Sequence, residues 1–250
     1  MSLRDGAVVL GGARTAMGRL QGSLSSLSAA DLGGFAIAGA LERSGVQPTD
    51  IDYVVLGQVL QAGSGQNAAR QAAIAGGLGM AIPALTINKV CLSGIDAIAL
   101  ADQMIRAGEF DAVVAGGMES MSQAPHLLIG SREGKKYGDW TMIDALALDG
   151  LTCAFDECAM GEATERYNDR YALTRQEQDA VAEASHRRAA AAQSVGILAE
   201  EITPVRIPQR KGDDIVVTDD EGIRAETTAE SLGRLRPAFA PEGTITAGNA

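Results

Sequence analysis

Up to about residue 115 the chain keeps repeating one arrangement: a short apolar run, a stretch that reads as helix, then another apolar run. The runs cover residues 7–12, 52–60, 83–90 and 111–115. They are apolar almost throughout rather than alternating, as in strands covered on both faces. Between them, Ser28 is placed to cap a helix over Ala29–Ser44, with Asp31 in its first turn and Gly45 just past its end. A second helix is expected over residues 67–75, stopped by Gly76 and Gly77. A third, amphipathic, follows Val90 and runs to about Ala107, where Gly108 ends it. Such alternation demands a parallel or mixed sheet with helices on its faces, an α/β fold. The core must be built largely without rings, because hydrophobic residues make up 46% of the chain but aromatics only 4%. Its 30 glycines point to tight turns and to backbone packed closely on backbone.

After about Gly117 the pattern changes. Residues 118–160 are rich in Met, Ser, Gly and charge and show no long period. The run Arg132-Glu133-Gly134-Lys135-Lys136 reads as a solvated loop. Thr174 and Glu177 form a capping box for a long helix from Arg175 to about Ser194, stopped by Gly196. Residues 205–208 and 214–217 read as short strands around a polar turn. The chain therefore divides into an α/β core and an inserted or appended loop domain.

The formal net charge of −11 argues against a general nucleic-acid or membrane-surface binder. No apolar run reaches the length of a membrane span, and the N-terminus lacks a signal-peptide pattern. Cys91, Cys153 and Cys158 form no disulfide framework, so reduced cytoplasmic thiols are the simpler reading. Cys153 and Cys158 lack a second Cys/His pair at zinc spacing, so no metal is expected.

The chemistry concentrates in Asn88-Lys89-Val90-Cys91-Leu92-Ser93-Gly94-Ile95. A cysteine sits where a strand-like run becomes a helix, next to unpaired backbone N–H groups and the positive end of the helix dipole. That setting favours the thiolate, the form that attacks carbonyl carbons. Ser93 and Gly94 are small and would let a substrate approach the sulfur. The residues by themselves leave two readings open, a nucleophile or one more buried small hydrophobe.

The wording of this segment resembles the nucleophile motif of the thiolases. Arg14-Thr15-Ala16-Met17-Gly18 resembles that family's opening motif, and Gly65-Gln66-Asn67-Ala68-Ala69-Arg70-Gln71 its second. Ala115-Gly116-Gly117-Met118-Glu119-Ser120-Met121-Ser122 resembles the third. Arg234-Leu235-Arg236-Pro237-Ala238-Phe239 and Gly243-Thr244-Ile245-Thr246-Ala247-Gly248-Asn249-Ala250 resemble the last. The motifs stand in the family's order over essentially the whole chain, and the likeness is greatest to the acetyl-CoA acetyltransferase branch.

The resemblance implies an N-terminal α/β domain of residues 1–117, to which 244–250 return, and a loop domain of 118–243 that holds coenzyme A. Cys91 would be the acylated nucleophile. Leu151 would touch the pantetheine or adenine end, Arg224 the nucleotide, Ser231 and Phe239 the adenine, and Ala247 the pantetheine. Met160 would wall the acyl pocket. The arginine also has a physical case of its own, since the nucleotide carries phosphates. Acetyl-CoA, acyl-CoA and CoA would be substrates, with no further cofactor and no nucleic-acid or membrane partner. The segment 65–71 resembles one at the thiolase dimer interface, and the loop 125–143 resembles the arm that joins dimers into tetramers. The family's acid–base residues, a second cysteine and a histidine, and its oxyanion-site asparagine belong to a C-terminal half that would follow Ala250. His126 and His186 do not fill those roles, so the 250 residues alone are expected to be inactive.

One position departs from the pattern. The most similar biosynthetic enzymes carry a histidine immediately before the Met-Gly pair, and Ala159 stands there here. A smaller side chain leaves room for a longer acyl group. A degradative 3-ketoacyl-CoA thiolase of broader chain length and a non-catalytic thiolase-like CoA- or partner-binding chain therefore stand as alternatives.

Overall fold

The computed structural model describes residues 6–250, which separate into two compact units. The first holds the described residues up to Gly150 together with Glu201–Glu221; the second holds Leu151–Glu200 and Gly222–Ala250.

In the first unit, α1 (Ala29–Ser44), β1 (Tyr53–Gly57), α2 (Ala68–Ala75), β2 (Ala84–Ile87), α3 (Ser93–Ala107) and β3 (Val113–Gly117) follow one another as the alternating pattern requires. The strands form one sheet in the order β2-β1-β3, parallel throughout. Two small antiparallel ladders accompany it, β4 (His126–Leu127) with β5 (Ile143–Asp144) and β6 (Val205–Ile207) with β7 (Ile215–Val217). Central β1 is the most buried strand, and its Val54 and Val55 are fully enclosed. Ser28 and Asp31 exchange capping hydrogen bonds at the start of α1, and Gly45 ends it at φ +69°.

Small residues decide how closely the helices pack. A Cβ at Gly34 would lie 2.7 Å from the Ala75 Cβ, and one at Gly76 would lie 2.7 Å from Ile37. This close approach of α1 and α2 lets alanines and a few branched residues fill a core that has few rings.

Two expectations are corrected. Residues 7–12 form no strand, since a strand requires a partner and the segment pairs with none among the described residues. Val9 is 87% exposed, and the segment is tied down instead by the Ala7 N–H donating to Asp102. The compact units also depart from the expected domain limits. Residues 118–123 stay with the first unit because Met118 packs into its core, Glu119 accepts the N–H groups of Val59 and Leu60, and the Ser120 hydroxyl donates to the Leu27 carbonyl. Residues 244–250 belong to the second unit, where Glu165 and Asp179 bind them.

Residues 201–221 are held in the first unit by charge. The Arg14 guanidinium forks onto the Asp220 carboxylate at 2.7 and 2.9 Å, and its Nε donates to Glu201 at 2.8 Å. Asp220 also accepts the Met17 N–H, while Glu221 accepts those of Arg19 and Ser23. The hydrogen bond from Arg14 holds the Asp220 carboxyl below its ordinary value near 3.8, and the Met17 N–H acts in the same sense. A depressed carboxyl stabilises the fold above its unfolded pKa, and that contribution is lost as pH falls through the folded value. Asp220→Ala is expected to cost about 2–3 kcal/mol at neutral pH, a fall in Tm of about 5–10 °C. The two proteins should converge in scanning calorimetry below about pH 3.8; an undiminished gap there would show that the carboxylate charge is not the cause.

The second unit contains α4 (Met160–Tyr171), α5 (Arg175–Ser194), all but the last residue of the short α6 (Ile197–Glu201), and the short α7 (Ala229–Gly233). Thr174 with Glu177 caps α5, and Thr228 with Ser231 caps α7. The helix α4 has no apolar inner face; it buries Glu165 and Asn168.

Candidate active site

The three parallel strands end in register, Gly57 lying opposite Ile87 on one side and Gly117 on the other. From the end of β2 the chain passes through Asn88, Lys89, Val90, Cys91 and Leu92 and enters α3 at Ser93. Val90 adopts φ +50°, a region a β-branched residue enters at a cost of about 1–3 kcal/mol. Side chains on both flanks hold it there. The Val90 N–H donates to the Asn88 Oδ1 at 2.9 Å. The Ser93 Oγ accepts the Lys89 N–H at 2.8 Å and donates to the Val90 carbonyl at 2.6 Å. The strained turn leaves Cys91 exposed.

The helix thus begins two residues after Cys91, with Leu92 as its cap. Ser93 and Gly94 do not open space for a substrate, as the sequence suggested; both face the sheet. Ser93 is buried, and a Cβ at Gly57 would come within 2.5 Å of it. A Cβ at Gly117 would lie 3.2 Å from the Gly94 Cα. Glycines at the strand ends therefore let the first turn of α3 rest directly on the sheet, which fixes the height of the cysteine above it.

Polar groups that carried no assigned role in the sequence surround this turn. Half-buried Glu119, two residues past β3, accepts the Val59 N–H at 2.8 Å and the Leu60 N–H at 3.3 Å. Burial pushes its carboxyl up, partly offset by these N–H groups. Buried Gln58 donates to the Leu60 carbonyl and to the Ser64 hydroxyl, and its Oε1 has no partner among the described residues. A carboxylate immediately after a buried strand was the available signal for Glu119.

The other six expected site residues all lie in the second unit, and all are exposed. Leu151 closes the π-helical turn Leu146–Leu151, and Met160 opens α4. The Phe239 ring lies against Gly161, the residue after Met160, so closely that a Cβ there would be 2.4 Å away. Ala247 follows on the same ladder, in which Ala238 N–H donates to the Ile245 carbonyl and Pro237 pairs with Thr246. Ser231 uses its hydroxyl inside its own cap, donating to the Thr228 carbonyl at 2.8 Å and accepting the Thr228 N–H. Arg224 is placed through its backbone, whose N–H donates to the His186 Nδ1. Cys153 and Cys158 face each other across a tight hairpin, with the Cys153 N–H donating to the Cys158 carbonyl at 2.8 Å, and both are free thiols. Among the described residues no group of three or more His, Cys, Asp or Glu side chains is arranged to hold a metal ion.

Comparison with known proteins agrees over the whole length. The family described as thiolase, N-terminal domain, matches residues 7–250. The chain is 59% identical over 244 residues to a probable acetyl-CoA acetyltransferase of Mycobacterium leprae, covering 98% of this chain and 62% of that protein. It is 51% identical over 248 residues to an acetyl-CoA acetyltransferase of Thiocystis violacea, covering 99% and 63%. The crystal structure of the Bacillus anthracis acetyl-CoA acetyltransferase superposes with a TM-score of 0.95 at 35% identity, covering all of this chain and 63% of that one. The chain spans about three fifths of the length of these curated relatives. By family match, sequence identity and fold, the chain belongs to the thiolases and carries their N-terminal domain.

Proposed function

We propose that this chain supplies the nucleophile and the coenzyme A surface of an acyl-CoA:acetyl-CoA C-acyltransferase. The observation that carries the reading is the exposed Cys91 on a strained turn at the carboxyl ends of a parallel sheet, where ligands of α/β folds are bound. The Cys91 thiolate attacks the thioester carbonyl of an acyl-CoA. A new carbon–sulfur bond forms, the old one breaks, and CoA leaves and takes up a proton. The α-carbon of acetyl-CoA, once deprotonated, attacks the acyl-cysteine, giving a 3-ketoacyl-CoA and returning the thiolate. The reverse sequence cleaves a 3-ketoacyl-CoA with CoA. The Cys91 N–H is assigned to the developing oxyanion, a role that preorganised amides perform well. Arg224 and Ser231 are assigned to the nucleotide end of coenzyme A, Leu151, Phe239 and Ala247 to its adenine and pantetheine, and Met160 to the acyl group. The base that deprotonates acetyl-CoA is assigned, on the family resemblance alone, to the part of the relatives that this chain does not span.

The relatives named as acetyl-CoA acetyltransferases support acetyl-CoA as one substrate. Exposed Ala159, with no side chain beyond Cβ, favours acceptance of longer acyl groups as well. The assembly proposed is a cytoplasmic dimer or tetramer, with the 125–143 loop as the joining arm. Consistent with a protein that does not span a membrane by helices, no helix among the described residues is long and apolar enough to cross one.

The test is chemical. A protein in which this chain is joined to the remaining length of its relatives is incubated with acetyl-CoA, quenched and digested. Peptide mass spectrometry should find the acetyl group on Cys91 and on neither Cys153 nor Cys158. Label confined to Cys153 or Cys158, or no acyl-enzyme at all, would refute the assignment.

A further inference from the structure

The turn that carries Cys91 is braced from another part of the sheet. We infer that Asn88 and Glu119 are positioning residues for Cys91, acting through the backbone of Val59 and Leu60. The connection runs through four hydrogen bonds. Glu119 accepts the N–H groups of Val59 and Leu60 at 2.8 and 3.3 Å. The Asn88 Nδ2 donates to the Val59 carbonyl at 3.3 Å, and the Asn88 Oδ1 accepts the Val90 N–H at 2.9 Å. One amide side chain thus ties the loop after β1 to the residue whose φ of +50° sets the direction of Cys91. Glu119 is itself fixed, because the Met118 N–H donates to the Gly57 carbonyl at 2.9 Å and continues the β1–β3 register by one residue.

The physical need for the brace lies at Val90. A β-branched residue left to itself returns to negative φ. Ser93 restrains the turn from the α3 side through the Lys89 N–H and the Val90 carbonyl. It does not touch the Val90 N–H, which Asn88 holds. Releasing Asn88 frees the peptide that leads into Val90, and releasing Glu119 loosens the carbonyl that orients Asn88. Neither side chain needs to touch a substrate.

This inference takes Cys91 as the nucleophile of the proposed function, but its first test does not depend on that reading. Amide hydrogen exchange is followed by mass spectrometry in the chain and in three variants. Glu119→Gln should speed exchange about tenfold at Val59 and Leu60 and also at Val90, although residues 119 and 90 share no hydrogen bond. Asn88→Ala should speed Val90 and leave the Leu60 amide protected. Gln61→Ala, which removes a donor to the Gln58 carbonyl in the same loop, should leave Val90 unchanged. If Glu119→Gln affects Val59 and Leu60 alone, Glu119 is a local loop brace and the inference fails. If Glu119→Gln unfolds the protein, Asn88→Ala decides, because Asn88 is exposed; unchanged exchange at Val90 then overturns the proposal.

The second test joins brace to chemistry. In the complete enzyme, Asn88→Ala should slow acetylation of Cys91 about tenfold while the affinity for CoA stays the same. Faster exchange at Val90 with an unaltered acetylation rate would refute the positioning role and leave the assignment of Cys91 intact. Acetylation absent already in the unsubstituted enzyme would overturn the proposed function instead.

Discussion

Cys91→Ala is expected to abolish acyl transfer in the complete enzyme, lowering kcat by roughly four or more orders of magnitude, as the loss of a covalent nucleophile does elsewhere. The size follows from the chemistry. The other candidate side chains in the segment 88–95 are engaged: the Ser93 hydroxyl is buried and donates to the Val90 carbonyl, and the Lys89 ammonium is paired with Asp96, while an amide formed there would not pass the acyl group on. Cys91→Ser should fail almost as badly, because a hydroxyl at its free pKa is a far weaker nucleophile than a thiolate. Stability should hardly move. Cys91 is exposed, and surface substitutions typically change stability by less than about 0.5 kcal/mol. Affinity for CoA should stay within a few-fold, because the residues assigned to coenzyme A do not include the sulfur. Steady-state assays, thermal melts and CoA titration separate these outcomes. Turnover within tenfold of the unsubstituted enzyme would show that the acyl group is carried elsewhere.

The elements that could be read from the sequence are those whose local chemistry and tertiary role agree. The helix α1 has a capping box at Ser28 and a glycine at its end, and the long α5 has its box at Thr174; both span the residues those signals indicate. The three paired strands fall on apolar runs, with only β1 largely buried; β1 and β2 are shorter than their runs, and β3 is as long as its run but lies two residues further along the chain. Residues 7–12 carry the same signal and form no strand, since apolarity does not supply a hydrogen-bond partner. The helix α4 shows the opposite failure. Its inward positions are Glu165 and Asn168, so a search for apolar periodicity misses it.

The site divides in the same way. Cys91 could be singled out from the sequence because a thiol before a helix has a stated chemistry. The duties of its neighbours were hidden, since Ser93, Gly94, Gly57 and Gly117 act through a distance between helix and sheet that only the fold creates. Glu119 and Asn88 act through the backbone of residues far away in the chain. The cap in which the Ser231 hydroxyl takes part was hidden too, since it depends on where α7 begins.

The buried helix face of α4 leads to the second large effect. Glu165→Gln is expected to destabilise the second unit by about 2–4 kcal/mol at neutral pH. Glu165 is 7% exposed and accepts the N–H groups of Thr244 and Ile245 at 2.8 and 2.7 Å and the Thr244 hydroxyl at 3.0 Å. A glutamine of the same shape keeps one acceptor and turns an NH2 group toward N–H donors. Truncation to alanine would leave those amides without a partner and should cost at least as much. Burial pulls the Glu165 carboxyl upward, but the Ile245 and Thr244 N–H groups and the Thr244 hydroxyl outweigh it and hold the group below its ordinary 4.5. A depressed carboxyl contributes stability that is present above the unfolded pKa and is lost as pH falls through the folded value. The gap between wild type and Glu165→Gln should therefore be full at pH 7 and close progressively below about pH 4.5. The effect should also reach function. Ile245, held by Glu165, accepts the Ala238 N–H and so seats the neighbouring Phe239 against Gly161. Affinity for CoA should fall along with stability, while a quench-and-digest experiment at saturating acetyl-CoA should still find the label on Cys91. Scanning calorimetry between pH 3 and 8, paired with CoA titration, checks both parts. A gap that stays constant with pH would exclude the carboxylate charge as its source, and unchanged CoA affinity would separate the Glu165 clasp from the position of Phe239.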